Sequence, residues 1–116
     1  MECKRVESIG GLVIKNRVNG MLAVTRSIGD KFFDTLVVSN PFTTKIELTS
    51  KDEFMIIACD GLWDVMEDQE ACDFIIQNDL ATDPQTASEL LIEHALKLGS
   101  ADNITVMVIS FKTYDA

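Results

Sequence analysis

Histidine, paired cysteines and basic residues are all scarce in this sequence. One histidine, His94, and three cysteines, Cys3, Cys59 and Cys72, stand among 116 residues. The odd number and the absence of any C-x-x-C argue against a disulfide framework or a thiolate zinc site, and predict a reducing setting, cytoplasmic or nuclear. Cys59 and Cys72 are expected to be small core residues, the usual fate of an unpaired cysteine. A single histidine also restricts catalysis. A Ser-His-Asp triad would have to use His94, which falls on the apolar stripe of a candidate helix, and no G-x-S-x-G is present. Cysteine-based phosphate chemistry needs an arginine six positions after the cysteine, where Ile9, Val65 and Asn78 stand instead. The phosphate loop G-x-x-x-x-G-K-[ST] is absent.

Ten Lys and Arg against 19 Asp and Glu give a net charge of −9. Binding to nucleic acid or to an anionic membrane surface depends on clustered positive charge, so neither is expected as a partner. No apolar run approaches the roughly 18 residues that a membrane span requires. The start, Met1-Glu2-Cys3-Lys4-Arg5, leads into no apolar block, so no secretory leader is expected. The length suits one domain, and 47% apolar residues are enough to build a core.

The patterning is mixed. Residues 2–9 read as a short helix stopped by Gly10-Gly11. Two apolar-rich runs, 12–18 and 21–25, flank Asn19-Gly20, a strong signal for a hairpin turn because both residues tolerate positive φ. Residues 36–38 suit a short strand, ended by Asn40-Pro41. Residues 43–49 alternate, predicting a half-buried strand, and 54–59 form an almost unbroken apolar one. Ala71, Phe74 and Ile75 make the stripe of a helix over 68–77. Asp83-Pro84 then opens a second helix, with Asp as N-cap and Pro at its first position, carrying Ala87, Leu90, Leu91, His94 and Leu98 up to Gly99. A β run over 103–111 follows. The order predicts an α+β fold with antiparallel pairing rather than repeated βαβ units.

Asp60 ends one apolar strand, Asp102 opens another, and Asp64 follows Asp60 by four positions. Carboxylates at the lips of neighbouring strands repel each other unless a cation lies between them. Oxygen donors without a nearby Cys or His pair favour Mg²⁺ or Mn²⁺ over Zn²⁺. Gly61 is expected to turn the chain so that Asp64 comes back towards the same place. An Asp-Gly turn and a solvated acidic surface would use the same residues, and spacing alone leaves both readings open. A calcium loop of the EF-hand type is excluded: its sixth position would be Val65 and its twelfth Ala71.

Three ordered stretches, "RVNGMLAVTRSIGD" (17–30), "FMIIACDGLWDV" (54–65) and "SADNITVMV" (100–108), preceded by "KRVESIGG" (4–11), resemble the C-terminal motifs of the metal-dependent, type 2C protein Ser/Thr phosphatases. The resemblance runs from about residue 4 to residue 111. It implies part of an α-β-β-α sandwich of antiparallel sheets flanked by helices, and a hydrolase acting on phosphoserine and phosphothreonine through a metal-activated water. Asp60 and Asp102 match two aspartates of the family's binuclear Mg²⁺ or Mn²⁺ centre, and Asp64 one that serves a third, weaker site. Arg17, Asn19-Gly20, Arg26, Gly29 and Asp30 match a segment associated with the fold and the flap, and are read as mainly structural. Trp63 is expected to pack locally.

The family domain is more than twice this long, and its metal-binding Asp-Gly-His segment and phosphate-gripping arginine are not visible here. The resemblance therefore implies that residues 1–116 are one unit, the C-terminal part of a catalytic domain, expected to be weakly active or inactive alone. A phosphoprotein substrate, such as a signalling kinase, is implied. Uncovered sheet edges predict self-association or domain swapping. The second reading is a catalytically inactive protein-interaction module.

Overall fold

A computed structural model describes residues 1–33 and 35–112. The chain divides into two compact units, Met1–Ile46 and Glu47–Ala116.

In the first unit, α1 (Glu2–Ser8) ends where Gly10 takes φ +89°. A two-residue pair follows, β1 (Val13–Ile14) antiparallel to β2 (Arg17–Val18). The turn between them is Lys15-Asn16, both at positive φ, and not Asn19-Gly20 as the sequence suggests. Asn19 and Gly20 also have positive φ, but they make a second turn that returns the chain to a single bridge between Val18 and Leu22. Residues 21–25 therefore form no strand. Two adjacent positive-φ pairs compete here, and Asn19 settles the register. Its Oδ1 accepts from the Leu12 N–H at 3.0 Å, and its own N–H donates to the Leu12 carbonyl at 2.7 Å. Residues 36–38 likewise make no strand; Val38 forms one parallel bridge to Arg26. Among the described residues, Val6, Val18 and Val37 are the buried apolar side chains of this small core.

Glu2 ties the unit together. Its carboxylate accepts from Arg26 Nε and Nη2 at 3.0 Å each, and from Thr25 Oγ1 at 3.0 Å. Arg5 Nη2 lies 3.3 Å from the same group. The Arg26 hydrogen bond, with those of Thr25 and Arg5, holds the Glu2 carboxyl down from 4.5 to about 2, against the opposing effect of desolvation.

In the second unit, β3 (Phe54–Ala58) pairs antiparallel with β4 (Val106–Ser110), in the register Phe54 to Ser110 and Ala58 to Val106. Between them run α2 (Asp60–Trp63), α3 (Asp68–Gln77) and α4 (Pro84–Lys97). Both long helices begin as their sequences require. Glu67 and Glu70 form a reciprocal capping box on α3, and the Asp83 side chain accepts from the Thr86 N–H at 3.1 Å on α4. Asp79 at φ +55° and Gly99 at φ +94° turn the chain after each helix. Leu62, Ile75 and Leu91 are fully buried with Ala71, Ala87 and Ala95, and Val108 meets them from the sheet. Each large apolar side chain contributes about 1.5–3 kcal/mol by leaving water. His94 stacks on Phe74 with ring centroids 4.8 Å apart, a packing role.

Residues 43–49 do not form the expected strand: all are exposed and without regular structure. Alternation gives a strand one apolar face, but only a partner's backbone makes it a strand, and none pairs with it among the described residues. The fold is α+β, with helices covering one face of the β3–β4 sheet. On the other face Met55, Ile57 and Met107 are exposed. Among the described residues no helix is long and apolar enough to cross a membrane.

Candidate metal centre

The antiparallel register places the end of β3 beside the start of β4, so the segments holding Asp60 and Asp102 leave the same end of the sheet. Pairing continues one step past Ala58: the Cys59 N–H donates to the Thr105 carbonyl at 3.2 Å. The chain then enters α2, a single turn. Gly61 is therefore helical, not the sharp turn expected of it, and Asp64 caps the helix with its N–H on the Asp60 carbonyl at 2.8 Å.

Gly61 has a different reason to be glycine. A Cβ at this buried position would fall inside the van der Waals envelope of the Asn103 carbonyl oxygen, and 3.2 Å from Ile104 Cγ1. The bare Cα lets α2 lie directly on the non-strand segment at Asn103 and Ile104 that follows Asp102. Further bonds close the seam. The Ser100 hydroxyl donates to the Gly61 carbonyl at 2.6 Å, and the Cys59 thiol donates to the Asn103 carbonyl at 3.3 Å. The Thr105 N–H donates to Cys59 Sγ at 3.2 Å, and Trp63 Nε1 donates to the Ala58 carbonyl at 3.1 Å, packing locally as expected.

Asp60, Asp64 and Asp102 are exposed above this seam. Asp102 Oδ1 accepts from the Asn103 N–H at 2.7 Å, while Asp60 and Asp64 accept no side-chain hydrogen bond from the described residues. The donor type, exposed carboxylate oxygen, is the one a hard divalent cation prefers. The donor number falls short. Among the described residues no three His, Cys, Asp or Glu side chains gather into a group able to hold a metal ion.

The other predicted residues are structural where the structure describes them. Arg17 Nη1 donates to the Met21 carbonyl at 2.8 Å, and Arg26 Nη1 to the Asn40 carbonyl at 2.7 Å. Ser27 Oγ donates to Asp30, and Gly29 takes φ +95° between them. Cys59 and Cys72 are half-buried rather than core residues, and no cysteine is in a disulfide. Burial first, and then Asp73 and Asp68, pushes the Cys72 thiol up, which makes it a poor nucleophile. Sequence reading overlooked Ser100; its place two residues before Asp102 is the one signal that could have marked it.

Over most of its length the chain is similar to known protein phosphatases. The profile of the Protein phosphatase 2C family matches residues 1–104. "Protein phosphatase 2C homolog 1" of Saccharomyces cerevisiae is 60% identical over 109 residues, covering 94% of this chain and 38% of its own. Its Schizosaccharomyces pombe namesake is 51% identical over 110 residues, covering 94% of this chain and 31% of its own. Among solved structures, a phosphatase from Toxoplasma gondii superposes with a TM-score of 0.73 at 27% identity, over 95% of this chain and 37% of that one. A Caenorhabditis elegans sex-determining protein superposes with a TM-score of 0.70 at 30% identity, over 92% of this chain and 28% of that one. The chain thus spans roughly a third of the length of the relatives it matches.

Proposed function

The chain belongs to the Protein phosphatase 2C family, and from that premise we propose that it supplies part of the catalytic centre of a protein phosphatase acting on phosphoserine and phosphothreonine. Asp60 and Asp102 are the metal-holding residues in this reading, with Asp64 at a weaker, neighbouring position. The observation that carries it is the seam at the end of the β3–β4 sheet, where Gly61, Ser100 and Cys59 bind the two aspartate-bearing segments to each other.

A bound Mg²⁺ or Mn²⁺ would supply an activated water and offset negative charge on the phosphoryl oxygens. The protein's part is to hold two hard carboxylates on one frame, facing solvent, where a phosphorylated side chain can reach them. Two carboxylates bind such ions weakly, and the described residues add no third donor. Further donors, and a cationic anchor for the phosphate, must come from protein beyond these residues. The chain alone is therefore expected to hydrolyse little or nothing. The apolar face of β3–β4, exposed at Met55, Ile57 and Met107, is the surface on which another chain or a second copy would pack.

Mn²⁺-dependent hydrolysis of a phosphothreonine peptide tests this reading. The chain alone should be inactive, and adding the residues that precede the matched region in a 2C relative should restore activity. Activity restored equally with Asp60→Asn would refute the assignment of Asp60. No activity in either mixture, with the two polypeptides associating, would favour the interaction module.

A further inference from the structure

A groove of about 430 Å³ is lined by α3, the last turn of α4 and the short segment that precedes α3. Its walls are of two kinds. Met66, Phe74 and Leu98 are apolar: Met66 is buried, Phe74 is half-buried against the core, and Leu98, just past the end of α4, is 48% exposed. The ring of His94, stacked on Phe74, adds a flat aromatic surface. Glu70 and Asp73 supply the polar side, three positions apart on α3 and so on one face of it.

Both acids are fixed in place but not neutralised. Glu70 Oε2 accepts from the Glu67 N–H at 2.9 Å in the capping box, and Asp73 Oδ1 accepts from Gln69 Nε2 at 2.8 Å. Each bond uses one carboxylate oxygen. Glu70 Oε1 and Asp73 Oδ2 accept no hydrogen bond among the described residues, no Lys or Arg of those residues pairs with either acid, and none lines the groove. An apolar floor beside two uncompensated carboxylates complements one kind of side chain. The stem of Arg or Lys packs along apolar surface while its charged head stays at the polar edge.

We propose that this groove docks a peptide segment of a partner protein that carries Arg or Lys next to an apolar residue. The basic head meets Glu70 and Asp73, its stem lies on the Phe74–His94 face, and the apolar neighbour covers Leu98. Arg suits the site better than Lys, because its planar fork can engage two carboxylate oxygens at once. The net charge of −9 draws basic segments to the whole surface, and the apolar floor gives the groove its preference among acidic places. An acidic segment would meet repulsion here. The proposal uses none of Asp60, Asp64 and Asp102, and holds whether or not a metal binds them.

The test is a titration of the dilute ¹⁵N-labelled whole chain with the peptide Gly-Ser-Lys-Arg-Leu-Leu-Ser-Gly, followed by amide shifts in NMR. Shifts should concentrate in α3, at the end of α4 and at Leu98, and should shrink as salt is added. Two control peptides, one with Glu-Glu for Lys-Arg and one with Ser-Ser for Leu-Leu, should bind far more weakly. Glu70→Gln with Asp73→Asn keeps the shape and the capping box, and should weaken binding roughly fivefold with little remaining response to salt. Leu98→Ser should weaken it by a similar factor while leaving the salt response in place. Spectra without peptide report the fold; if the double variant disturbs them, Asp73→Asn alone decides. No shifts in the groove, equal binding of the Ser-Ser control, or native affinity in the decisive carboxylate variant would each overturn the proposal. Groove shifts on concentrating the chain without peptide would assign the groove to a second copy and overturn it too.

Discussion

Gly61 is the residue on which the candidate site depends most closely. Its missing side chain, rather than any unusual φ, allows α2 to rest on the Asn103 carbonyl. Gly61→Ala must push the two apart, and overpacking of this kind costs about 1–3 kcal/mol. Urea unfolding of Gly61→Ala should show that loss; native stability would mean that the seam is not tight. Glu2 makes a separate test at the same scale. Its folded pKa of about 2 lies below the ordinary 4.5, so its contribution is complete above that ordinary value and disappears as pH falls towards 2. Glu2→Gln should lower the thermal midpoint near neutrality and flatten its dependence on pH between these limits. A midpoint that falls as steeply with acid as in the native chain would show that other carboxylates dominate.

Among the elements, α3, α4 and β3 could be read from sequence almost to the residue, because stripe, cap and strand pattern agreed, whereas the run expected over 103–111 pairs as a strand only from Val106. Asp83-Pro84 fixes the start of α4, and Asp83 does accept from Thr86. The Thr86 side chain first, and then its backbone N–H, holds the Asp83 carboxyl below its ordinary range, so Asp83→Ala should destabilise at neutral pH and lose its effect in acid, as circular dichroism melts would record. Leu91→Ala should cost about 2–5 kcal/mol in urea unfolding, since Leu91 is fully buried against the sheet. The elements that could not be read share one physical reason. Residues 43–49 alternate like a strand, but pairing is a property of two segments, and Ile46 and Leu48 stand exposed. The hairpin signal at Asn19-Gly20 was real as a turn, yet Lys15-Asn16 formed the strand pair, because local φ preference does not say which neighbours align. At the site, Asp60 was legible as an acid just past the end of β3, while Asp102, expected to open a strand, lies four residues before β4. Ser100 and Gly61 were not, since their roles exist only once residues 39 positions apart meet.

At the scale of the whole molecule, net charge and uncovered apolar surface oppose each other. A charge of −9 disfavours association, while Met55, Ile57 and Met107 favour it. Apolar burial outweighs charge repulsion once an entire sheet face is covered, so light scattering should give a mass that rises with concentration and with salt. Ile57→Lys together with Met107→Lys should abolish the rise. A mass that stays monomeric throughout would place the face outside any self-contact. The exposed, irregular stretch 41–50 should be the first region cut in limited proteolysis, followed by mass spectrometry.

The central claim is that Asp60 and Asp102 share one divalent ion. Calorimetric titration of Mn²⁺ into the native chain, Asp60→Asn and Asp102→Asn tests it most directly. One site with a dissociation constant weaker than about 10⁻⁴ M, lost in either variant, is the expected result. Binding that persists unchanged in both variants would contradict the account.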